Sequence, residues 1–221
     1  MKHLLLLTLA AGSLLVQTQM SAQSQMRNLR REIKGTVTDQ NGIPVSAATV
    51  YAVPQGLVLD DIDPRSVETD SNGRFDFHGG LQLEGYKLYA RKDEDDYPDP
   101  LDRFYADSKT EAPQVELTDA HPSATVAVKL GEKAGVLVGR VVDRGTGAVL
   151  NARLYFLDAQ GNGHHVDSVA ADGTFRALLP AGKELTLVVA EVSSNRMQIP
   201  VAPLRLEPGQ YISMDIPVSK Q

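Results

Sequence analysis

The 221 residues of this chain include no cysteine and no tryptophan. The first absence excludes disulfides, thiolate metal sites and a cysteine nucleophile, so a fold must stand on its hydrophobic core. The second, with an aromatic fraction of only 5%, leaves little ring surface on which a sugar could stack. Positive charge is also short: 22 basic against 28 acidic residues give a formal charge of -6. A phosphate backbone needs a basic face, so nucleic acid is not the expected partner. No apolar run reaches the ~20 residues that a spanning helix requires. The histidines beyond the N-terminal region are His78, His121, His164 and His165, and the third residues after them are Leu81, Ala124, Asp167 and Ser168. The His-x-x-Glu pattern of a zinc carboxypeptidase site is therefore missing. So are His-Glu-x-x-His, Gly-x-Ser-x-Gly and Gly-x-x-x-x-Gly-Lys. The chain is expected to be non-catalytic.

What is present is enough to bury a core, since 42% of residues are hydrophobic and 23% charged. At the N-terminus, Lys2 and His3 precede an apolar run over residues 4–16 and a polar stretch over residues 17–25 that contains Ser21-Ala22. That layout is a secretory signal. We expect residues 1–22 to be removed and residues 23–31 to form a short N-terminal extension. No cysteine follows to carry a lipid anchor. The expected location is the periplasm, the cell surface or the extracellular space, with no membrane span after cleavage.

The rest of the chain repeats itself. Ile33-Lys-Gly-Thr-Val-Thr-Asp aligns with Leu137-Val-Gly-Arg-Val-Val-Asp, so that Gly35, Val37 and Asp39 fall on Gly139, Val141 and Asp143. Further on, Gly73 and Phe75 fall on Gly173 and Phe175. Val37 and Val141 lie in alternating runs that suit half-buried strands. Asp39 to Gly42 and Asp143 to Gly147 carry turn chemistry. Asn72-Gly73 and Asp172-Gly173 are tight-turn dipeptides leading into strands that aim Phe75, Phe77 and Phe175 at a core. Gly85 and Gly182 open another strand in each copy. Short strands parted by Gly, Pro and Asp turns predict an all-β protein of two tandem antiparallel sandwiches, over residues 32–132 and 133–221. The second core should include Val141, Leu154, Phe156, Phe175, Leu185 and Leu187.

The pattern Gly-x-Val-x-Asp-x-x-Gly-x-Pro, Ala-x-Val, Thr-Asp-x-x-Gly-x-Phe and Gly-Tyr-x-Leu resembles the carboxypeptidase regulatory-like domain. Here those residues are Gly35, Val37, Asp39, Gly42, Pro44, Ala48, Val50, Thr69, Asp70, Gly73, Phe75, Gly85, Tyr86 and Leu88. The second copy departs from it, with Ala148 read in place of the Pro, Ala171 in place of the Thr and Lys183 in place of the Tyr. The resemblance implies a transthyretin-like, seven-stranded sandwich used as an accessory module on exported proteins, and a likeness to starch-binding-like sandwiches. It carries no catalytic residue, and none is assigned.

Candidate ligands are few. Residues 91–102 hold Asp93, Asp95, Asp96 and Asp99 close together, and clustered carboxylates suit calcium. The segment lacks the Gly and terminal Glu of an EF-hand, so a solvated acidic loop is the competing expectation. Asp60, Asp61 and Asp63 form a smaller acidic loop. His164-His165 reads as an exposed hairpin tip. Tyr97 and Tyr105 could make a sugar or peptide platform or could cap a sandwich edge. The expected partner is a surface or secreted protein or a second copy of the chain, bound through loops or a strand edge; the alternative is a glycan.

Overall fold

The computed structural model describes residues 31–56, 64–105, 112–161, 163–166, 170, 172–191, 197–198 and 203–219. The expected signal segment, most of the N-terminal extension and the loop of Asp60, Asp61 and Asp63 lie outside these. So do the side chains of His164 and His165. Regular structure is nearly all β, with two short 3-10 turns at Asp93–Asp95 and Arg103–Tyr105. No helix among the described residues is long and apolar enough to cross a membrane.

The chain divides into two compact units. The first holds the described residues up to Tyr89 together with Ala112–Val128. Its strands are β1 (Glu32–Thr38), β2 (Thr49–Pro54), β3 (Arg65–Glu68), β4 (Arg74–His78), β5 (Gly85–Arg91, whose last two residues belong to the second unit), β6 (Gln114–Glu116) and β7 (Ser123–Lys129). They form a three-stranded sheet ordered β4-β1-β7 and a four-stranded sheet ordered β3-β2-β5-β6. Ile33, Val37, Val50, Phe77, Leu81, Leu88 and Leu117 are buried, as strands with one apolar face require.

The second unit holds the described residues of Ala90–Glu111 and Lys129–Gln221. The described residues 90–105 thus cluster with this unit although they precede residue 133. Its strands are β8 (Gly135–Asp143), β9 (Ala152–Leu157), β10 (Gly163–Val166), β11 (Thr174–Leu179), β12 (Glu184–Glu191), β13 (Met197–Gln198), β14 (Leu204–Arg205), β15 (Tyr211–Ser213) and β16 (Ile216–Val218). One sheet runs β10-β9-β12 with β13 and β14 both on the far side of β12, and the other runs β11-β8 with β15 and β16 both parallel to β8. This repeats the first unit with two strand positions each broken into two short segments. Val141, Leu154, Phe156, Phe175, Leu185 and Leu187 form one buried cluster, which also takes in Phe104 and Tyr105.

The repeated residues have the same physical task in both copies. Gly35 stands opposite Phe75 across β1 and β4, and Gly139 opposite Phe175 across β8 and β11. A methyl group on Gly35 would overlap the Val126 carbonyl oxygen of β7, and one on Gly139 the Met214 carbonyl oxygen. Glycine thus lets the last strand close on the first while the phenylalanine fills the core below. The Val37 amide donates to the Gly73 carbonyl at 2.7 Å, and the Val141 amide to the Gly173 carbonyl at 3.2 Å. Gly73 and Gly173 have φ of +72° and +74°, a region that side chains with a Cβ rarely adopt.

Two replacements read from the alignment move. The turn after β8 is longer: the Gly147 amide donates to the Asp143 carbonyl, where the Gly42 amide donates to that of Asp39. Val149 then bridges Val142 as Pro44 bridges Thr38, so Val149 and not Ala148 holds the proline position. Similarly, the Ala170 amide bonds the Thr174 carbonyl as the Asp70 amide bonds that of Arg74. Ala170 therefore stands where Asp70 does, and Ala171 cannot be the counterpart of Thr69. Thr69 itself is buried, its hydroxyl accepting from the Ala48 amide at 2.9 Å and donating to the Val45 carbonyl at 2.7 Å.

Candidate functional site

Antiparallel pairing of β1 and β4 sets Glu32 opposite His78 and Lys34 opposite Asp76. Because strands alternate faces, the neighbours Ile33 and Phe77 point to the core and these four point away from it. The His78 Nδ1 lies 2.9 Å from Glu32 Oε1 and its Nε2 lies 2.8 Å from Asp76 Oδ2. Lys34 Nζ sits 2.7 Å from Glu32 Oε1 and 3.5 Å from Asp76 Oδ2. The Glu32 hydrogen bond, with Asp76 beside it, raises the Lys34 pKa above its ordinary value. The remaining Asp76 oxygen, Oδ1, is shut from solvent and has no hydrogen-bond partner among the described residues.

The same face carries a groove of about 920 Å³. Lys34, Thr36, Arg74 and Asp76 line it from β1 and β4, Thr125 and Ala127 from β7. Its charges are mixed, so the surface suits a polar, uncharged or zwitterionic contact rather than a polyanion.

The residues singled out from the sequence fall elsewhere, in the second unit. Lys92 and Tyr97 pair through reciprocal backbone bonds of 2.9 and 3.0 Å around the 3-10 turn at Asp93–Asp95. Asp96 follows in the left-handed region at φ 69°. Each carboxylate has a local cation or amide. Asp95 pairs with Lys92 at 2.9 Å, Asp96 with Arg176 at 2.5 Å, and Asp99 with Arg91 at 3.0 Å. Asp99 also accepts from the Leu101 amide. Asp93 is 3.8 Å from Arg91, and partial burial raises its pKa, with Arg91 opposing. Among the described residues these aspartates do not form a group of three with ligand atoms within 4.8 Å of one another.

Tyr97 and Tyr105 are 8% and 4% exposed, so neither ring offers a stacking face. Lys133 Nζ stands 5.0 Å from the Tyr97 ring centroid. The Tyr105 hydroxyl donates to the Leu178 carbonyl at 2.6 Å, and burial first, then Asp102, Asp93 and Asp99, push its pKa well above that of a free phenol. These tyrosines seat residues 90–105 on the second unit. Reading residues one at a time missed the Glu32, Lys34, Asp76 and His78 cluster. The signal was in the register: once Gly35 pairs with Phe75, position 34 must meet 76 and 32 must meet 78.

Residues 32–94, which include this cluster, match the model of the carboxypeptidase regulatory-like domain. No curated protein matches the chain in sequence. Among solved structures it is similar to the Bacillus anthracis TIE protein, with 17% identity, 85% of this chain and 33% of that one covered, and a TM-score of 0.33. It is similar to a streptococcal ancillary pilin at 18% identity, covering 84% of this chain and 62% of that one, TM-score 0.35. It is similar to the shaft pilin SpaA from Lactobacillus rhamnosus GG at 9% identity, covering 86% and 99%, TM-score 0.34. The chain thus spans a third of the first of these and under two thirds of the second.

Proposed function

We propose that the chain is an exported, non-catalytic structural or interaction protein built of two regulatory-like β-sandwich modules. It acts by binding a surface or secreted protein, or a second copy of itself. One observation carries this reading. The motif residues that the two copies share are used in turns and core, while the first unit leaves a groove open on its β4-β1-β7 face. The match to a regulatory-like domain supports it, and so does the absence from the sequence of the hydrolase motifs sought above. The apolar stretch at residues 4–16 supports export.

The test is a photo-crosslinking residue placed at Thr36, on the groove, in the chain expressed by its native host. A discrete protein adduct in the exported fraction, either with itself or with one partner, is the expected result. Adducts to no protein at all, or turnover of an ester, peptide or glycoside in a hydrolase screen that Thr36 substitution abolishes, would overturn the reading.

A further inference from the structure

The two units carry the same fold, so each serves as a control for the other. At the positions that correspond to Glu32, Lys34, Asp76 and His78, the second unit has Val136, Val138, Arg176 and Leu178, paired in the same register. Strand pairing therefore does not need two carboxylates and an imidazole there. In the second unit those positions lie under or beside residues 90–105: Arg176 bonds Asp96, and the Leu178 carbonyl takes the Tyr105 hydroxyl. In the first unit the four side chains are 26% to 69% exposed.

One ligand atom from each of Glu32, Asp76 and His78 lies within 4.8 Å of the other two. A tetrahedral ion with bonds of about 2.0–2.2 Å holds its ligand atoms roughly 3.3–3.6 Å apart. His78 now meets one carboxylate through each ring nitrogen, at 2.8 and 2.9 Å. A turn of this exposed ring brings one nitrogen toward both carboxylates. Asp76 meets His78 and Lys34 through Oδ2, and its Oδ1, buried without a partner among the described residues, is an acceptor left unsatisfied, which is a costly state. Lys34 Nζ lies against both carboxylates, where a cation would bind.

We propose that Glu32, Asp76 and His78 form a divalent transition-metal site, suited to zinc, for which the Lys34 ammonium is the resident competitor. One imidazole nitrogen and two carboxylate oxygens are ligands that zinc accepts, with the fourth position left to water or a partner's side chain. Binding takes a neutral His78 and displaces Lys34 into solvent, so one dication replaces the positive charge now held against the carboxylates. The site is independent of whether the chain binds a protein partner.

The experiment is isothermal titration of the untagged mature chain with zinc chloride at near-neutral pH, with circular dichroism melts on every variant. One zinc per chain is expected. His78→Ala should weaken binding at least about tenfold, as loss of groups that hold a metal does, and Asp76→Asn should weaken it as well. Lys34→Met should tighten it several-fold, a gain that misfolding cannot imitate. The proposal is overturned if no saturable heat appears, if His78→Ala binds zinc as the parent does, or if Lys34→Met leaves the affinity unchanged or weaker.

Discussion

Gly139 has no room for a side chain, since a Cβ there would collide with the Met214 carbonyl oxygen between β15 and β16. The Gly139→Ala protein must push the last strand off β8, and we expect a loss of about 1–3 kcal/mol in chemical denaturation. Its register partner Phe175 is 4% exposed in the core cluster, so Phe175→Ala should cost ~3–5 kcal/mol; an unchanged melting temperature would contradict its burial. Asp172 makes a prediction with a pH sign. Its carboxylate accepts from the Thr174 hydroxyl at 2.7 Å and the Thr174 amide at 3.1 Å, and these bonds lower its pKa. A folded pKa below the unfolded one means stabilisation present above about pH 4 and lost as pH falls through the folded value. The melting-temperature gap between the parent and Asp172→Ala should therefore narrow on acidification, and a gap constant from about pH 7 to pH 2 would refute the linkage. At this scale much was legible. Gly-x-Val and Gly-x-Phe announced turns and core because their spacing repeats. Ala148 was misplaced because one turn is a residue longer, and length differences in turns leave no mark on strand periodicity.

Residues 90–105 are the element that sequence alone reads least well. Asp, Pro and Tyr in a dense run look like a solvated loop. Their carboxylates are consumed instead by Arg91, Lys92, Arg176 and backbone amides, partners that the order of residues does not reveal. A hint was present in β8. Gly135-Val-Leu-Val is apolar on both faces, unlike Glu32-Ile-Lys in β1, and Val136 and Leu137 are 2% and 0% exposed. A strand apolar on both faces must be covered on both. It follows that residues 133–221 alone lack part of their core. That fragment should melt well below the second unit of the intact chain, and a peptide of residues 90–111 added in trans should raise its midpoint with concentration. Equal stability of fragment and intact unit would remove Phe104 and Tyr105 from the folding core.

For the whole molecule, compartment and partner choice are tested together with the fold. Protein recovered from a secreting host should begin near Gln23, and a soluble product that keeps Met1 would refute export. Architecture was legible at this scale because two copies of a motif state it twice, whereas the cluster of Glu32, Asp76 and His78 depends on strand pairing and no spacing rule encodes it. The division of the chain has a further consequence. The polypeptide passes from one unit to the other at residues 89–90, 111–112 and 128–129. Modules that spread between proteins do so as uninterrupted stretches with a linker at each end. Here the first unit takes up β6 and β7 only after the stretch between β5 and β6, whose described residues 92–105 belong to the second unit. A crossover in the gene just before β8 would separate all strands of one sandwich from all strands of the other, and it would strip the second core of Phe104 and Tyr105.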